Sequence, residues 1–278
     1  LDAAITLAKE LAALPQTCAA CNQWIGGEQG LVCGVCHAEV MAGLARPYCP
    51  RCGRTVPRPA IHDDGCARCQ TEPFWNVAAV ARVGVYTPAV RALVLGLKYR
   101  GWERNAEYLA DRLAEAIAAQ GWLPALDALV PVPMHWLRRG QRPCDHAAVL
   151  TEALARRLER PVIRLVRRAR HAPSQTNIAS KTARFENVRG CFAAPPWWLP
   201  PWPKPDVAGW TVCIVDNLIS AGATIAEVSK VLRRGGAKRI YAAAVARPAA
   251  PGDPASDPAA VGEVGRALPA AGCDPDAA

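Results

Sequence analysis

Eight of the chain's twelve cysteines fall between positions 18 and 69, in four pairs of one spacing: Cys18-x-x-Cys21, Cys33-x-x-Cys36, Cys49-x-x-Cys52 and Cys66-x-x-Cys69. A Cys-x-x-Cys pair on a tight turn aims two thiolates at one point, and two pairs complete a tetrahedral S4 site. The pattern therefore calls for two zinc ions. Residues 22–32 separate the first two pairs and residues 53–65 the last two, enough in each case for a short hairpin. Cys49-Pro50-Arg51-Cys52-Gly53 adds a proline that stiffens the turn and a glycine that lets the backbone curl beneath the metal. With four sulfurs per ion no position remains for a catalytic water, so the zinc is structural. Sequential pairing is the expectation, and the spacing leaves a cross-braced arrangement open. His37 and His62 lie close enough to replace a cysteine, and equally need be no more than surface residues.

The second stretch able to do chemistry runs from Thr211 to Thr224. Val212-Cys213-Ile214-Val215 is an apolar, β-branched run that delivers Asp216 and Asn217 to its carboxyl tip. Ser220, Ala221, Gly222, Ala223 and Thr224 then form a turn of small residues that opens a helix. Such a turn offers backbone N–H groups and the positive end of a helix dipole to an anion. A carboxylate four residues ahead of a phosphate cradle suits a phosphorylated sugar with vicinal hydroxyls. A generic strand–turn–helix is the plainer reading of the glycine turn taken alone.

Other elements must hold these two sites. Residues 1–15 suggest an amphipathic helix with Ile5, Leu7, Leu11 and Leu14 on one face. Segment 16–75 has few large aliphatic residues, so the metals are expected to supply most of its folding free energy. On that basis the ribbon should fold and unfold separately. Beyond it, residues 77–86 read as a strand, 88–97 and 103–120 as helices, and 125–133 as an apolar strand. A helix over 146–159, a strand at 162–166 and a polar loop over 167–186 follow. The strand 211–216, helix 223–234 and strand 239–246 complete residues 76–249. Strands alternating with helices imply an α/β fold with an open, mostly parallel sheet, whose ligands bind at strand carboxyl ends. Residues 250–278, rich in Ala, Pro, Gly and Asp, are expected to be a disordered tail.

The Asp216–Thr224 stretch resembles the phosphoribosyl-pyrophosphate loop of type I phosphoribosyltransferases. The whole chain from Cys18 to about Arg247 is similar to the ComF (GntX-like) competence family, a double zinc ribbon fused to a phosphoribosyltransferase domain. Leu97-Lys98-Tyr99-Arg100-Gly101, Val130-Pro131-Val132-Pro133-Met134-His135, and Gln175-Thr176 with Arg184, Asn187-Val188 and Phe192 carry the rest of the resemblance. Two departures stand out. Asn217 replaces the loop's second acidic residue, and Ala221 replaces a threonine. The family's Arg-Gly-Phe-Asn-Gln appears only loosely, as Arg142-Pro143-Cys144-Asp145-His146. Asn217 can hydrogen-bond a ribose hydroxyl but removes a charge that would help hold Mg²⁺.

The resemblance implies binding of phosphoribosyl pyrophosphate and a role with incoming single-stranded DNA in natural transformation, among other competence proteins. Were the chain an active transferase, Asp216 and Asn217 would be its catalytic residues, with Arg170, Lys181 or Arg184 closing over the pyrophosphate. A non-catalytic zinc adaptor is a third reading. The net charge of +9 adds a separate hint. Residues 135–190 hold 13 Lys/Arg against 4 Asp/Glu, a surplus of nine, whereas residues 1–75 hold 6 against 7. That surplus fits either a nucleic-acid track or a merely solvated face. The Trp/Pro-rich insertion 195–203 fits packing over a sheet edge or a docking surface. With no long apolar run and no basic leader at the start, a cytoplasmic location is expected.

Overall fold

The computed structural model describes residues 17–25, 30–71, 76–172, 180–196 and 206–249. The expected N-terminal helix, the tail, Gln175-Thr176 and most of the Trp/Pro insertion lie outside these residues.

Two helices belong to the ribbon, α1 (Gly34–Ala45) and α2 (Ala67–Thr71). The chain then runs β1 (Ala79–Gly84), α3 (Pro88–Arg100), α4 (Glu103–Ala119), β2 (Ala128–Pro131), α5 (Trp136–Arg139) and α6 (His146–Leu158). A short pair, β3 (Arg167–Arg168) and β4 (Phe192–Ala193), flanks α7 (Lys181–Val188). Last come β5 (Thr211–Leu218), α8 (Ala223–Arg234) and β6 (Arg239–Ala246). The main sheet has the order β1-β6-β5-β2, and every pair in it is parallel. A parallel sheet is covered on both faces, which is why β5 and β6 read as unbroken apolar runs. Local signals set the helices. Pro88 opens α3, and Gly101, in the left-handed region at φ 65°, ends it. Asp145 caps α6 by accepting the Ala148 N–H at 3.2 Å.

The expected strand 162–166 shrinks to one parallel bridge, Leu129 to Val162. Pro161 has no N–H to donate, although its carbonyl accepts from Leu129 at 2.9 Å. The chain then leaves the edge, and Arg167–Arg168 pairs antiparallel with Phe192–Ala193. The expected polar loop 167–186 thus contains β3 and the start of α7, which Ser180 caps.

The ribbon is built into the sheet rather than tethered to it. Strand alternation puts Ala81, Val83, Cys213 and Val215 on the face covered by α3, α4 and α6, and Cys18, Cys36 and Val40 join that core. Val80, Val130, Val212 and Ile214 face the other way, in one core with Cys49, Cys52, Cys66 and Cys69. Between α1 and β1, a Cβ on Gly84 would lie 3.1 Å from the Cα of Gly43, so this approach needs glycine. The outer edge of β1 is covered by the second knuckle, where the Pro50 carbonyl accepts the Val80 N–H at 2.6 Å.

Candidate functional site

The cysteines form two tetrads by sequential pairing. The Sγ atoms of Cys18, Cys21, Cys33 and Cys36 lie within 4.8 Å of one another, as do those of Cys49, Cys52, Cys66 and Cys69. Sulfur–sulfur separations of 3.8 Å (Cys21–Cys33), 3.7 Å (Cys49–Cys69) and 3.8 Å (Cys52–Cys66) recur. A tetrahedron with zinc–sulfur bonds of about 2.3 Å has edges of about 3.8 Å, so the sulfurs fit the metal. Backbone N–H groups of Cys33 and Cys66 donate to the sulfurs of Cys18 and Cys49, each at 3.3 Å, which suits thiolates. The nearby histidines stand aside. His37 pairs through Nδ1 with the Tyr108 hydroxyl at 2.9 Å, and His62 is exposed.

The second site is a crevice. Beyond β2 the chain moves outward to the Val162 bridge, while beyond β5 it moves the other way, to β6. The carboxyl ends of β2 and β5 thus diverge in connection, which is where open α/β sheets bind ligands. The two ends stay bonded, Val132 N–H to Val215 O at 3.0 Å. Asp216 and Asn217 emerge there on opposite faces, because side chains alternate along a strand.

Asp216 is partly buried, and its Oδ1 accepts the Asn217 N–H at 2.7 Å. Burial pushes its carboxyl up to about 6, against the pull of Lys98, the Asn217 and Leu218 N–H groups and Arg168. Asn217 is 1% exposed, and neither its Oδ1 nor its Nδ2 has a partner among the described residues. Gly222, at φ 85°, turns the chain into α8 with no side-chain cap. The N-terminus of α8, the positive end of its dipole, therefore opens beside the strand tip. Gly222 and Ala223 are buried in this turn, while Ser220, Ala221 and Thr224 are half-buried.

Lys98 and Arg168 act on this carboxylate from distant parts of the chain, and Arg138 and Arg142 lie near them. Lys98 comes from the last turn of α3. Arg142 stacks on the next residue, its Cζ 3.8 Å from the Tyr99 ring centroid, and donates to the Tyr99 hydroxyl at 3.2 Å. Among the described residues, the buried Arg142 Nη1 has no partner, and neither has the Arg168 Nε. Burial and Arg138 lower the proton affinity of Arg168. Burial, with Lys98, Arg142 and Arg138 close by, pushes His146 down to about 3. His135 is lowered too, by burial and by His171, Arg168 and Arg138. Both histidines are neutral at pH 7. One carboxylate faced by Lys98 and Arg168, with Arg138 and Arg142 nearby, is suited to a ligand with several negative charges.

The structure places Asp216 at the strand tip ahead of the 220–224 turn, while the Asn217 side chain is buried on the opposite face. Among the residues expected over a pyrophosphate, Arg170 is exposed and donates to the Arg189 carbonyl at 2.8 Å. Arg184 is half-buried on α7, and the Lys181 side chain lies outside what is described. Sequence reasoning gave no ligand role to Lys98, Arg142 or His146, and placed Arg138 and Arg168 only within the basic stretch 135–190. The available signal was the Leu97–Gly101 motif, whose Gly101 turn rests on Pro143. A Cβ on Gly101 would lie 3.0 Å from Pro143 Cβ, so the turn holds Arg142 against Tyr99.

Comparison with known proteins adds three findings. Residues 11–72 match the model of a double zinc ribbon domain, and residues 143–264 match that of a phosphoribosyl transferase domain. Competence protein F of Haemophilus influenzae is 28% identical over 223 residues, 78% of this chain and 90% of that protein. DNA utilization protein YhgH is 27% identical in Salmonella typhi over 232 residues and 28% identical in Escherichia coli K12 over 233 residues. Each YhgH match takes in 82% of this chain and 95% of the relative. The matches bear out the resemblance read from the sequence.

Proposed function

We propose that this chain, which joins a double zinc ribbon to a phosphoribosyl transferase domain in the manner of the ComF family, binds phosphoribosyl pyrophosphate between β2 and β5. The observation that carries the reading is Asp216, partly buried at a strand tip beside an uncapped helix N-terminus and faced by Lys98 and Arg168. Asp216 takes the ribose hydroxyls, and the N–H groups of 220–224 take the 5′-phosphate. Lys98, Arg142 and Arg168 meet the pyrophosphate more directly than Arg170 does, and Arg184 adds charge from α7. Mg²⁺ would be held through Asp216 and the pyrophosphate, since Asn217 is buried on the opposite face of the strand. The relatives' names, Competence protein F and DNA utilization protein YhgH, support a competence-related setting; within it we assign the chain to the handling of single-stranded DNA in the cytoplasm, alongside other competence proteins. Among the described residues no helix is long and apolar enough to cross a membrane.

Binding is better supported than turnover. In a transferase an acceptor displaces pyrophosphate from C1 of the sugar, and a base commonly takes the acceptor's proton. The half-buried imidazole beside Lys98 and Arg142 is His146, and at about 3 it takes a proton poorly at neutral pH. The test is calorimetry of the zinc-loaded chain with phosphoribosyl pyrophosphate and Mg²⁺, alongside an assay for pyrophosphate release. The parent should bind, while Asp216→Ala and Gly222→Val should not. Equal binding by parent and both variants would overturn the reading. Heat of binding without pyrophosphate release marks a ligand-binding protein, release marks a transferase, and neither marks an adaptor.

A further inference from the structure

An aromatic surface at the mouth of the crevice has no part in holding a phosphoribosyl ligand. Trp136 opens the α5 turn a few residues beyond β2 and is 71% exposed. Its ring leans on His135, with centroids 5.6 Å apart and planes at 35°. His135 meets His171 edge-on at 5.2 Å. His135 itself is 4% exposed and accepts the Leu137 N–H on Nδ1 at 3.3 Å, so the platform under Trp136 is fixed. The fold gains little burial from this indole, and Leu137 beside it is 43% exposed.

The charge around it can now be sorted. Several arginines of the basic stretch 135–190 are engaged elsewhere. Arg156 and Arg157 pair with Glu107, Arg157 also pairs with Asp111, and Arg164 pairs with Glu152. Arg160 is used on the carbonyls of Leu126, Leu158 and Glu159. Arg138, Arg139, Arg142, Arg167, Arg168 and Arg170 make no ion pair among the described residues. A single phosphoribosyl ligand needs two or three cations, which Lys98, Arg142 and Arg168 supply. Arg138 donates to the Ala172 carbonyl at 3.2 Å, and Arg138 and Arg139, close to Trp136 in the chain, and Arg167 are in excess of that need. An exposed aromatic ring beside surplus arginines is the arrangement that binds single strands, with bases stacked on the ring and phosphates on the cations.

We propose that Trp136, seated on His135, is the stacking platform for a base of single-stranded nucleic acid, flanked by phosphate contacts from Arg138, Arg139 and Arg167. The inference rests on the single-strand partner proposed above and gives it a location at the crevice mouth. The test compares a short oligothymidylate with an abasic oligomer of equal charge, each binding the full zinc-loaded chain. Trp136→Ala should weaken the oligothymidylate about fivefold or more, leave the abasic oligomer unchanged, and keep the same salt slope, because no phosphate contact is lost. Trp136→Phe should retain most of the affinity. Changing Arg138 and Arg139 to Gln should weaken both oligomers and reduce the slope by about 0.7 per lost contact. Equal loss on both oligomers in Trp136→Ala, no loss on either, or no binding by the parent at low salt would each overturn the platform. Phosphoribosyl pyrophosphate calorimetry on Trp136→Ala should match the parent. A parent that stacks thymidylate yet fails to bind the sugar phosphate would sink the crevice reading and leave this one standing.

Discussion

The two cysteine tetrads share a motif and a pairing pattern, yet they serve opposite faces of the sheet in different ways. In the first, Cys21 and Cys33 are half-buried, and its helix α1 reaches the α/β core through Val40, Gly43 and Glu39. In the second, all four cysteines are buried. Its knuckle covers the edge of β1 through Pro50, and the Cys52 carbonyl accepts a hydrogen bond from Arg247, a 4%-exposed guanidinium just beyond β6. A tetrathiolate zinc centre carries two negative charges, and a buried arginine beside it offsets part of them. Ligand spacing alone therefore says that a metal is held, and the surrounding packing decides what else depends on it.

The comparison breaks or holds on the cysteines first. Structural zinc contributes on the order of 10 kcal/mol, comparable to the whole stability of a domain. Cys52→Ala should therefore leave little folded protein, with the sheet lost along with the ribbon. That revises the expectation of a separately unfolding ribbon, because Val80 and Arg247 are bonded to the second knuckle. Cys21→Ala should lose one zinc yet keep the sheet, with a lower Tm. Circular dichroism and metal analysis of both variants decide it, and equal collapse of the two would erase the distinction.

The next effect belongs to the crevice between the two faces. The folded carboxyl of Asp216 stands at about 6, above its ordinary value of 3.8. Its contribution to stability is therefore full below about 3.8 and is lost as the pH rises through about 6. At pH 7 the charged group weakens the fold, so Asp216→Asn should stabilise the chain by on the order of 2 kcal/mol while abolishing sugar-phosphate binding. Thermal melts at pH 4 and pH 7 test the sign: the gain should appear at pH 7 and fade at pH 4. Ligand affinity should fall in parallel as the pH drops below about 6.

The smallest effect sharpens the role of the first tetrad. Thr87 precedes α3 without capping it, and Glu39 of α1 instead accepts the Ala89 N–H at 3.0 Å. Glu39→Ala should cost about 1 kcal/mol, as loss of a helix cap does, and Glu39→Gln should restore most of it. Since α3 carries Lys98 at its far end, the Ala variant should also bind the sugar phosphate more weakly than the Gln variant. Equal melting temperatures in parent and Ala variant would deny the cap.

How much of this could be read beforehand depended on range. The cysteine pairs and the Asp216 strand tip were legible because metal spacing and strand period are local. Segment 162–166 had a strand's composition, but nothing local revealed that its chain would leave the edge after a single bridge. The meeting of Gly43 with Gly84 was invisible for a similar reason, since neither glycine is marked by its neighbours in sequence. The crevice cations are the extreme case. Lys98, Arg138, Arg142 and Arg168 lie up to 70 residues apart (98 to 168), and only the strand order brings them together.

That strand order also sets a timetable for synthesis. Among the described strands β1 pairs only with β6, whose first residue follows that of β1 by 160 positions (79 to 239). At about 5–20 residues per second, a ribosome delivers the partner on the order of ten seconds later. All eight ligand cysteines have emerged before then, so the ribbon can be loaded with metal while the centre of the sheet does not yet exist. β5 and β6 then arrive as one continuous β–α–β unit that must seat between two edges already waiting, and Arg247 follows at once to close over the second knuckle. A chain cut short before β6 would carry its zinc and lack its sheet, so metal content is a poor measure of finished protein.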